Sequence, residues 1–205
     1  MKTLNNLKKI YEKNLKNFGD NHKSVGWKKK SEALARYKVM TNLFKNDYSV
    51  KRILDVGCGL SHYFLFLKKN ISNFKYIGLD ISEKMINLSA IKYPNNSYFI
   101  GDAMNDNIIF PKFDYAIING LFTQKANYSD KIMFFFFKNV LGKIFFLSKK
   151  GIALNLLTPF PEWKNKKNYY PQFEIIIKFI TKNLSNKFII NHNYGLHEYT
   201  IYVYK

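Results

Sequence analysis

The stretch Ile53-Leu54-Asp55-Val56-Gly57-Cys58-Gly59 constrains this chain more than any other. An apolar run holding one acid and ending in two glycines spaced by one residue reads as a buried parallel strand that breaks into a tight turn. A helix from Ser61 to about Lys69 follows at once. Gly57 and Gly59 remove side chains where the backbone must bend, so a ligand can lie against the main chain and the helix N-terminus. The pattern is that of a nucleotide-type pocket. A dinucleotide fingerprint would place a third glycine at His62. Its absence leaves the close helix–strand approach that accompanies a pyrophosphate unspecified, which weighs against NAD.

Three more units follow in order. Phe74-Lys75-Tyr76-Ile77-Gly78-Leu79-Asp80 is a second strand whose terminal acid would reach the ribose hydroxyls of whatever occupies the glycine turn. Ser97-Tyr98-Phe99-Ile100-Gly101-Asp102-Ala103 ends a third in an acid suited to accept from an exocyclic amine, and Phe113 to Gly120 supplies a fourth. Each acid also has a plainer reading. Asp55 would hold the glycine turn through backbone N–H groups. Asp80 would be a helix N-cap, a role equally open to Ser82. Acids at the ends of successive strands beside a glycine turn nevertheless converge on one edge of a parallel sheet.

In this order the residues resemble the motifs of the Rossmann-like, S-adenosylmethionine-dependent methyltransferases, over roughly Ile53 to Leu121. The ordered set is more specific than a lone glycine pair. The resemblance implies that Gly57, Cys58 and Gly59 line the methionine part of S-adenosylmethionine. By the same likeness Asp80 and Ile81 hold the ribose and adenine edge, Asp102 and Ala103 meet the adenine, and Asn119 and Gly120 border the sulfonium. The expected fold is a three-layer α/β, Rossmann-like methyltransferase fold. Its sheet has seven strands, mostly parallel with the last antiparallel, under an N-terminal helical cap. The expected organisation is one domain over 1–205, with the cap in 1–50 and the core in 51–205.

At 205 residues with 47% apolar content the chain can bury a sizeable core. Its formal charge of +19 is compatible with a nucleic acid, an anionic membrane surface or an acidic small substrate, but the lysines are spread along the chain without a dense basic block. The single cysteine, Cys58, excludes an intramolecular disulfide and suits a cytoplasmic setting. The charged N-terminus carries no signal-peptide pattern. Phe134–Phe137 and Ile144–Leu147 are interrupted by Lys138 and Lys143 well short of a membrane span, and read as core.

Leu4, Leu7, Ile10, Tyr11 and Leu15 recur at helical spacing, predicting an amphipathic helix from about Thr3 to Asn17 over the sheet or pocket. A loop from Phe18 to Lys30 and a helix starting at Ser31 follow. Val25-Gly26-Trp27 with Arg36-Tyr37 resembles a subset of small bacterial methyltransferases whose pre-domain segment folds over the cofactor. There Arg36 would pair with the methionine carboxylate and Trp27 would shield the sulfonium. The alternatives are a solvated helix face and a surface anchor. Further on, helices are predicted over Ser82–Ala90, Tyr128–Leu141 and Gln172–Asn183, and a fifth strand over Gly151–Leu157. Lys187–Asn191 and Tyr199–Tyr204 form a closing hairpin. Thr158–Pro171, with Phe160, Trp163, Tyr169 and Tyr170 among Lys164, Lys166 and Lys167, is a candidate acceptor lid.

A sulfonium methyl is already activated, so the protein must chiefly aim a nucleophile. A sugar hydroxyl or phenol would need a general base, for which His62, His192, His197 and Glu198 are candidates. An anionic phosphate-like oxygen would need cations, for which Lys125, Lys164, His62 and His197 are candidates. The hairpin turn would bring His192, Tyr194, His197 and Glu198 to the pocket mouth. Asn119-Gly120-Leu121-Phe122 lacks the two prolines of base-amine methyltransferases, which weakens a DNA or RNA acceptor and favours oxygen. Gly120–Lys125 and Glu198–Tyr204 resemble small methyltransferases linked to bacterial surface-polysaccharide decoration, some acting on the phosphoramidate of capsules. No clustered acid set is present for a catechol-type metal, so none is expected. The leading expectation is methyl transfer to an oxygen of a small or glycan-linked anionic acceptor. An RNA or DNA methyltransferase and a non-catalytic Rossmann-like binding module are the alternatives.

Overall fold

The computed structural model describes residues 5–104 and 108–205. Thr3 and Leu4 of the first predicted helix lie outside the described residues. Two helices come first, α1 (Asn5–Phe18) and α2 (Lys30–Thr41), the latter running into a 3₁₀ turn over Asn42–Phe44. Then follow β1 (Lys51–Val56), α3 (His62–Asn70), β2 (Phe74–Asp80), α4 (Glu83–Lys92), β3 (Ser97–Ile100) and β4 (Phe113–Ile118). The chain closes with α5 (Asp130–Leu147), β5 (Ser148–Leu157), α6 (Phe173–Asn183), β6 (Phe188–Asn191) and β7 (Glu198–Tyr204).

The strands form one seven-stranded sheet in the order β3-β2-β1-β4-β5-β7-β6. β7 runs antiparallel to both of its neighbours; the other pairings are parallel. Strand order reverses between β1 and β4, and a crevice at the carboxyl ends of such strands is where ligands bind in open α/β sheets.

Side chains alternate across the pleat, and both faces are covered. Leu54, Val56, Ala116, Ile118, Ile152 and Leu154 join α5 and α6 in one core. Ile53, Tyr115, Ile117, Ala153 and Tyr202 join α2 and α3 in the other. That double burial is why the strand stretches read as nearly continuous apolar runs.

The helix α5 extends beyond its expected end at Leu141, through Gly142 and Lys143, to Leu147. Met133, Phe136, Phe137, Val140, Leu141, Ile144 and Phe145 are buried at helical spacing, so the apolar stripe continues past the glycine. A mid-helix glycine costs only about 1 kcal/mol relative to alanine, less than burying Ile144 and Phe145 contributes. β5 likewise starts earlier than expected, at Ser148, leaving Gly151 inside the sheet. A Cβ on Gly151 would lie 2.6 Å from the Val203 carbonyl oxygen and 3.4 Å from Tyr204 Cα on β7. Backbone of a central strand cannot withdraw as a side-chain tip can. Gly151→Ala is therefore expected to destabilise the protein by about 1–3 kcal/mol, to be read by urea unfolding; an unchanged midpoint would show that the β5–β7 spacing is slack.

Candidate active site

The carboxyl edge of the sheet opens into a cavity of about 1100 Å³ including its mouth. Its wall is built from the ends of four strands. β1 contributes Asp55 to Gly59, β2 Leu79 to Ser82, the segment after β3 Gly101 to Ala103, and the segment after β4 Asn119 to Leu121. The cap contributes Leu7, Lys8 and Tyr11 of α1 and Val25 and Trp27 of the loop that follows. Thus Trp27, Gly57, Cys58, Gly59, Asp80, Ile81, Asp102, Ala103, Asn119 and Gly120 all line one cavity, as does His62.

Asp80 organises the turn. Its Oδ2 accepts the Gly59 N–H at 2.8 Å and its Oδ1 the Ser82 N–H at 2.8 Å. Helix α4 is capped by Ser82, whose hydroxyl accepts from the Met85 N–H at 3.4 Å. Of the two cap candidates, then, Ser82 caps, and Asp80 stays at the cavity wall. Each carboxylate oxygen keeps one lone pair for a ligand. Burial raises the Asp80 carboxyl above the usual carboxylate range, against the lowering by these backbone N–H groups.

Asp55 does not hold the glycine turn, contrary to its plainer reading. It is buried and accepts from the Tyr76 hydroxyl at 2.7 Å. Burial, opposed by that hydrogen bond and reinforced by the charge of Asp80, pushes its carboxyl up to about 7. The Cys58 thiol is pushed up by burial and by the same two acids, which suits a lining atom and disfavours a thiolate nucleophile. Asp102 turns one oxygen to the Met104 N–H at 2.9 Å.

Glycine is required by position here. Gly57, Gly59 and Gly120 have φ of +77°, +53° and +78°. Added Cβ atoms would meet Leu121 at 3.2 Å, Val25 at 2.9 Å and Trp27 at 2.6 Å respectively. The cavity wall is in this way packed directly against bare backbone.

Several expected participants are elsewhere. Arg36 does not line the cavity: its Nε lies 2.8 Å from Glu198 Oε1, and its guanidinium sits over the Trp27 ring at 4.1 Å. Glu198, expected at the pocket mouth, is 1% exposed in that ion pair. The β6–β7 turn does lie at the carboxyl edge, since Glu198 opposes Leu157 at the end of β5. Two strands, β4 and β5, stand between β7 and β1, and His192 and His197 are exposed outside the cavity. Lys125 is paired with Asp130 at 2.5 Å and does not line the cavity. Of the five candidate catalytic residues, only His62 faces it, with Nε2 2.7 Å from Asp20 Oδ1. Lys92 shares that carboxylate.

The wall also includes Val25 of the Val-Gly-Trp stretch and three residues no motif marked: Lys8, Tyr11 and Gln124. Tyr11 had a signal in the apolar stripe of α1; its hydroxyl is pushed up to about 12 by burial and by Asp80. Gln124 had none, because it is fixed by a loop contact. It bridges to Asn168, while Lys125 N–H donates to the Lys167 carbonyl at 2.8 Å and Tyr169 N–H to that of Thr123 at 2.9 Å. The 158–171 segment is thereby tied to the cavity wall. Among the described residues, no group of three or more His, Cys, Asp or Glu is arranged to hold a metal ion, and no helix is long and apolar enough to cross a membrane.

Comparison with known proteins agrees with this geometry. Residues 53–135 match the family described as methyltransferase domain. A protein of Mycobacterium tuberculosis (strain ATCC 25618 / H37Rv) named as a methyltransferase is 26% identical over 157 residues, covering 75% of this chain and 92% of that protein. Magnesium protoporphyrin IX methyltransferase from Synechocystis PCC 6803 with bound S-adenosylmethionine superposes with a TM-score of 0.63. It is 16% identical, over 95% of this chain and 90% of that one. Human N-acetylserotonin methyltransferase in complex with S-adenosylmethionine gives 0.62 at 14% identity, over 85% of this chain and 54% of that one. Both of these solved structures hold S-adenosylmethionine. Residues 53–135 thus match a methyltransferase domain, and the chain as a whole has the Rossmann-like, class I methyltransferase fold.

Proposed function

We propose that this protein binds S-adenosylmethionine in the cavity and transfers its methyl group to an oxygen of a small or glycan-linked anionic acceptor. The observation that carries the reading is the convergence of Asp80, the Gly57–Gly59 turn, Asp102 and Asn119–Gly120 on one cavity. The residues fit the cofactor. Three positive-φ glycines leave backbone bare at the wall, and Asn119 Oδ1 is buried there without a hydrogen-bond partner. On this reading Gly57, Cys58 and Gly59 hold the methionine part, and Asp80 with Ile81 holds the ribose and adenine edge. Asp102 with Ala103 meets the adenine, and Asn119 with Gly120 borders the sulfonium.

When bound, S-adenosylmethionine supplies an electrophilic methyl. The chain's own part is to orient the acceptor oxygen, exclude water with Trp27, Tyr11 and Val25, and manage one proton or one negative charge. His62 is the group for that last task, since it alone of the candidate bases and cations faces the cavity. Asp20 orients its ring. His62→Ala is expected to lower turnover about 100-fold or more, within the usual range for a general acid or base, while leaving affinity for S-adenosylhomocysteine within about threefold. Full turnover would remove it from the role.

Two features support an anionic acceptor. The segment tied to the cavity wall carries Lys164, Lys166 and Lys167, all exposed. Trp163, 66% exposed, has Lys28 Nζ 5.6 Å from its ring. The likeness of Gly120–Lys125 and Glu198–Tyr204 to surface-polysaccharide enzymes supports a sugar, phosphate or phosphoramidate oxygen. The same exposed lysine and aromatic rim favours RNA or DNA as the second reading.

Calorimetry with S-adenosylhomocysteine, followed by methyl-transfer assays on glycan, phosphoramidate and RNA panels at rising salt, tests both. Transfer to a glycan or phosphoramidate oxygen with modest salt dependence supports the first reading. Transfer to RNA that falls steeply with salt supports the second. Absence of S-adenosylhomocysteine binding overturns both.

A further inference from the structure

A closed ring of contacts joins the cap to the sheet beside the cavity, and only part of it touches the cavity. Glu198, the first residue of β7, pairs with Arg36 of α2 at 2.8 Å. The Arg36 guanidinium lies over the Trp27 ring at 4.1 Å. Trp27 fills the space above Gly120, where a Cβ would lie 2.6 Å from its Cη2. Gly120 N–H donates to Asn155 Oδ1 at 2.6 Å, and the Asn155 side chain stands against the Glu198 carboxylate. Trp27 and Gly120 line the cavity; Arg36, Asn155 and Glu198 do not.

The side of the ring away from the cavity is buried. Glu198 is 1%, Asn155 0% and Arg36 8% exposed. A buried ion pair is often no more stabilising than an apolar pair of similar volume, so its presence is weak evidence of a stabilising role. What this pair does have is position. Trp27 belongs to an irregular loop between α1 and α2, where no helix or strand ladder fixes its indole. Its contacts include the Arg36 plane, the bare backbone of Gly120 and the core that holds Tyr37. Arg36 in turn is held in one rotamer by Glu198, with Glu32 farther off at 3.8 Å.

We propose that Glu198 is a positioning residue: acting through Arg36, it holds Trp27 against Gly120 and so shapes the cavity wall at the end of β4. This rests on the reading of that wall as the sulfonium side of an S-adenosylmethionine site. It assigns Glu198 and Arg36 a part different from base or carboxylate ligand.

The chain has two tryptophans, Trp27 and Trp163, so Trp163→Phe leaves Trp27 as the only indole fluorophore. In that background Glu198→Gln keeps the side-chain volume and removes the charge. The expected result is a red-shifted Trp27 emission, acrylamide quenching raised about threefold, and S-adenosylhomocysteine affinity lowered about tenfold, a loss typical of a displaced wall. Arg36→Met with Glu198→Met replaces the pair by apolar volume and keeps the protein folded whether or not the single variant folds. If this double variant has wild-type quenching and wild-type affinity, the pair is only structural and the proposal is overturned. If its melting temperature holds while quenching rises and affinity drops, the proposal stands. Should the wild-type protein fail to bind S-adenosylhomocysteine while Trp27 still loosens in the variants, the site reading fails and the positioning role survives.

Discussion

Asp80→Ala is expected to weaken S-adenosylhomocysteine binding by about 100-fold, equivalent to roughly 2.7 kcal/mol. Hydrogen bonds to a charged partner contribute about 1.5–3 kcal/mol each, and a ribose offers two hydroxyls. Asp80 is also prepared for the task before any ligand arrives, since the Gly59 and Ser82 N–H groups hold its two oxygens in place. On the proposed reading the substitution therefore removes both the ligand contact and the brace of the glycine turn. Asp80→Asn separates them: its carbonyl oxygen can still accept from one backbone N–H, so the turn is partly kept while the charge is lost. Calorimetry on the two variants should give a graded loss, with Asn between wild type and Ala. Unchanged affinity in Asp80→Ala would remove this acid from the ribose role, whatever the fold.

Asp55 should contribute to the pH dependence of stability below neutrality. Its carboxyl is pushed from the model-peptide value of 3.8 up to about 7, chiefly by burial. The raised group keeps its proton in the folded state while the unfolded chain has already lost it. Stability from this group is therefore fully present below pH 3.8 and is lost as pH rises toward 7. Between pH 5 and 7 the slope starts near 1.4 kcal/mol per unit and halves as the group titrates, amounting to about 2 kcal/mol. Asp55→Asn keeps an oxygen for the Tyr76 hydroxyl and cannot titrate. Urea unfolding of both proteins at pH 5 and pH 7.5 should show the variant gaining about 2.5 kcal/mol on wild type across that interval. Parallel profiles would mean that Asp55 is ionised in the folded protein at pH 5 already. Glu198 is also raised, mainly by burial, but it is common to both proteins and cancels in the comparison; Asp80, whose charge acts on Asp55, is part of the difference measured.

Much of this architecture was legible one stretch at a time. Apolar runs ending in Gly-Cys-Gly and in Leu79-Asp80 state their own strand ends, because a strand buried on both faces leaves little choice of residue type. The cavity wall follows directly, since strands that run parallel must end at the same edge. The limits of the reading are equally local. The helix expected over Tyr128–Leu141 continues past Gly142 to Leu147, because a stripe of buried side chains carries it beyond a residue that favours a stop. Ser82 and Asp80 were equivalent as caps until the backbone showed which hydroxyl meets the Met85 N–H.

Charge pairing was another matter. Arg36 was assigned to a ligand carboxylate and Glu198 to the pocket mouth, each plausible for an isolated residue with one charge to satisfy. In the folded chain they satisfy each other, because β7 inserts beside β5 and brings the C-terminal strand under α2. Similarly, His192 and His197 lie at the predicted edge but too far across the sheet, since lateral strand order is set by long-range pairing.

Sequence alone determined the strands, the glycine turn and the acids at the cavity edge, because each depends on neighbours within a few residues and on a pleat that repeats every two. Tertiary structure decided which cation meets which carboxylate, which cap residues close the cavity, and which of four histidines faces it. Those outcomes depend on contacts between distant segments, where a buried charge takes whatever partner the topology delivers.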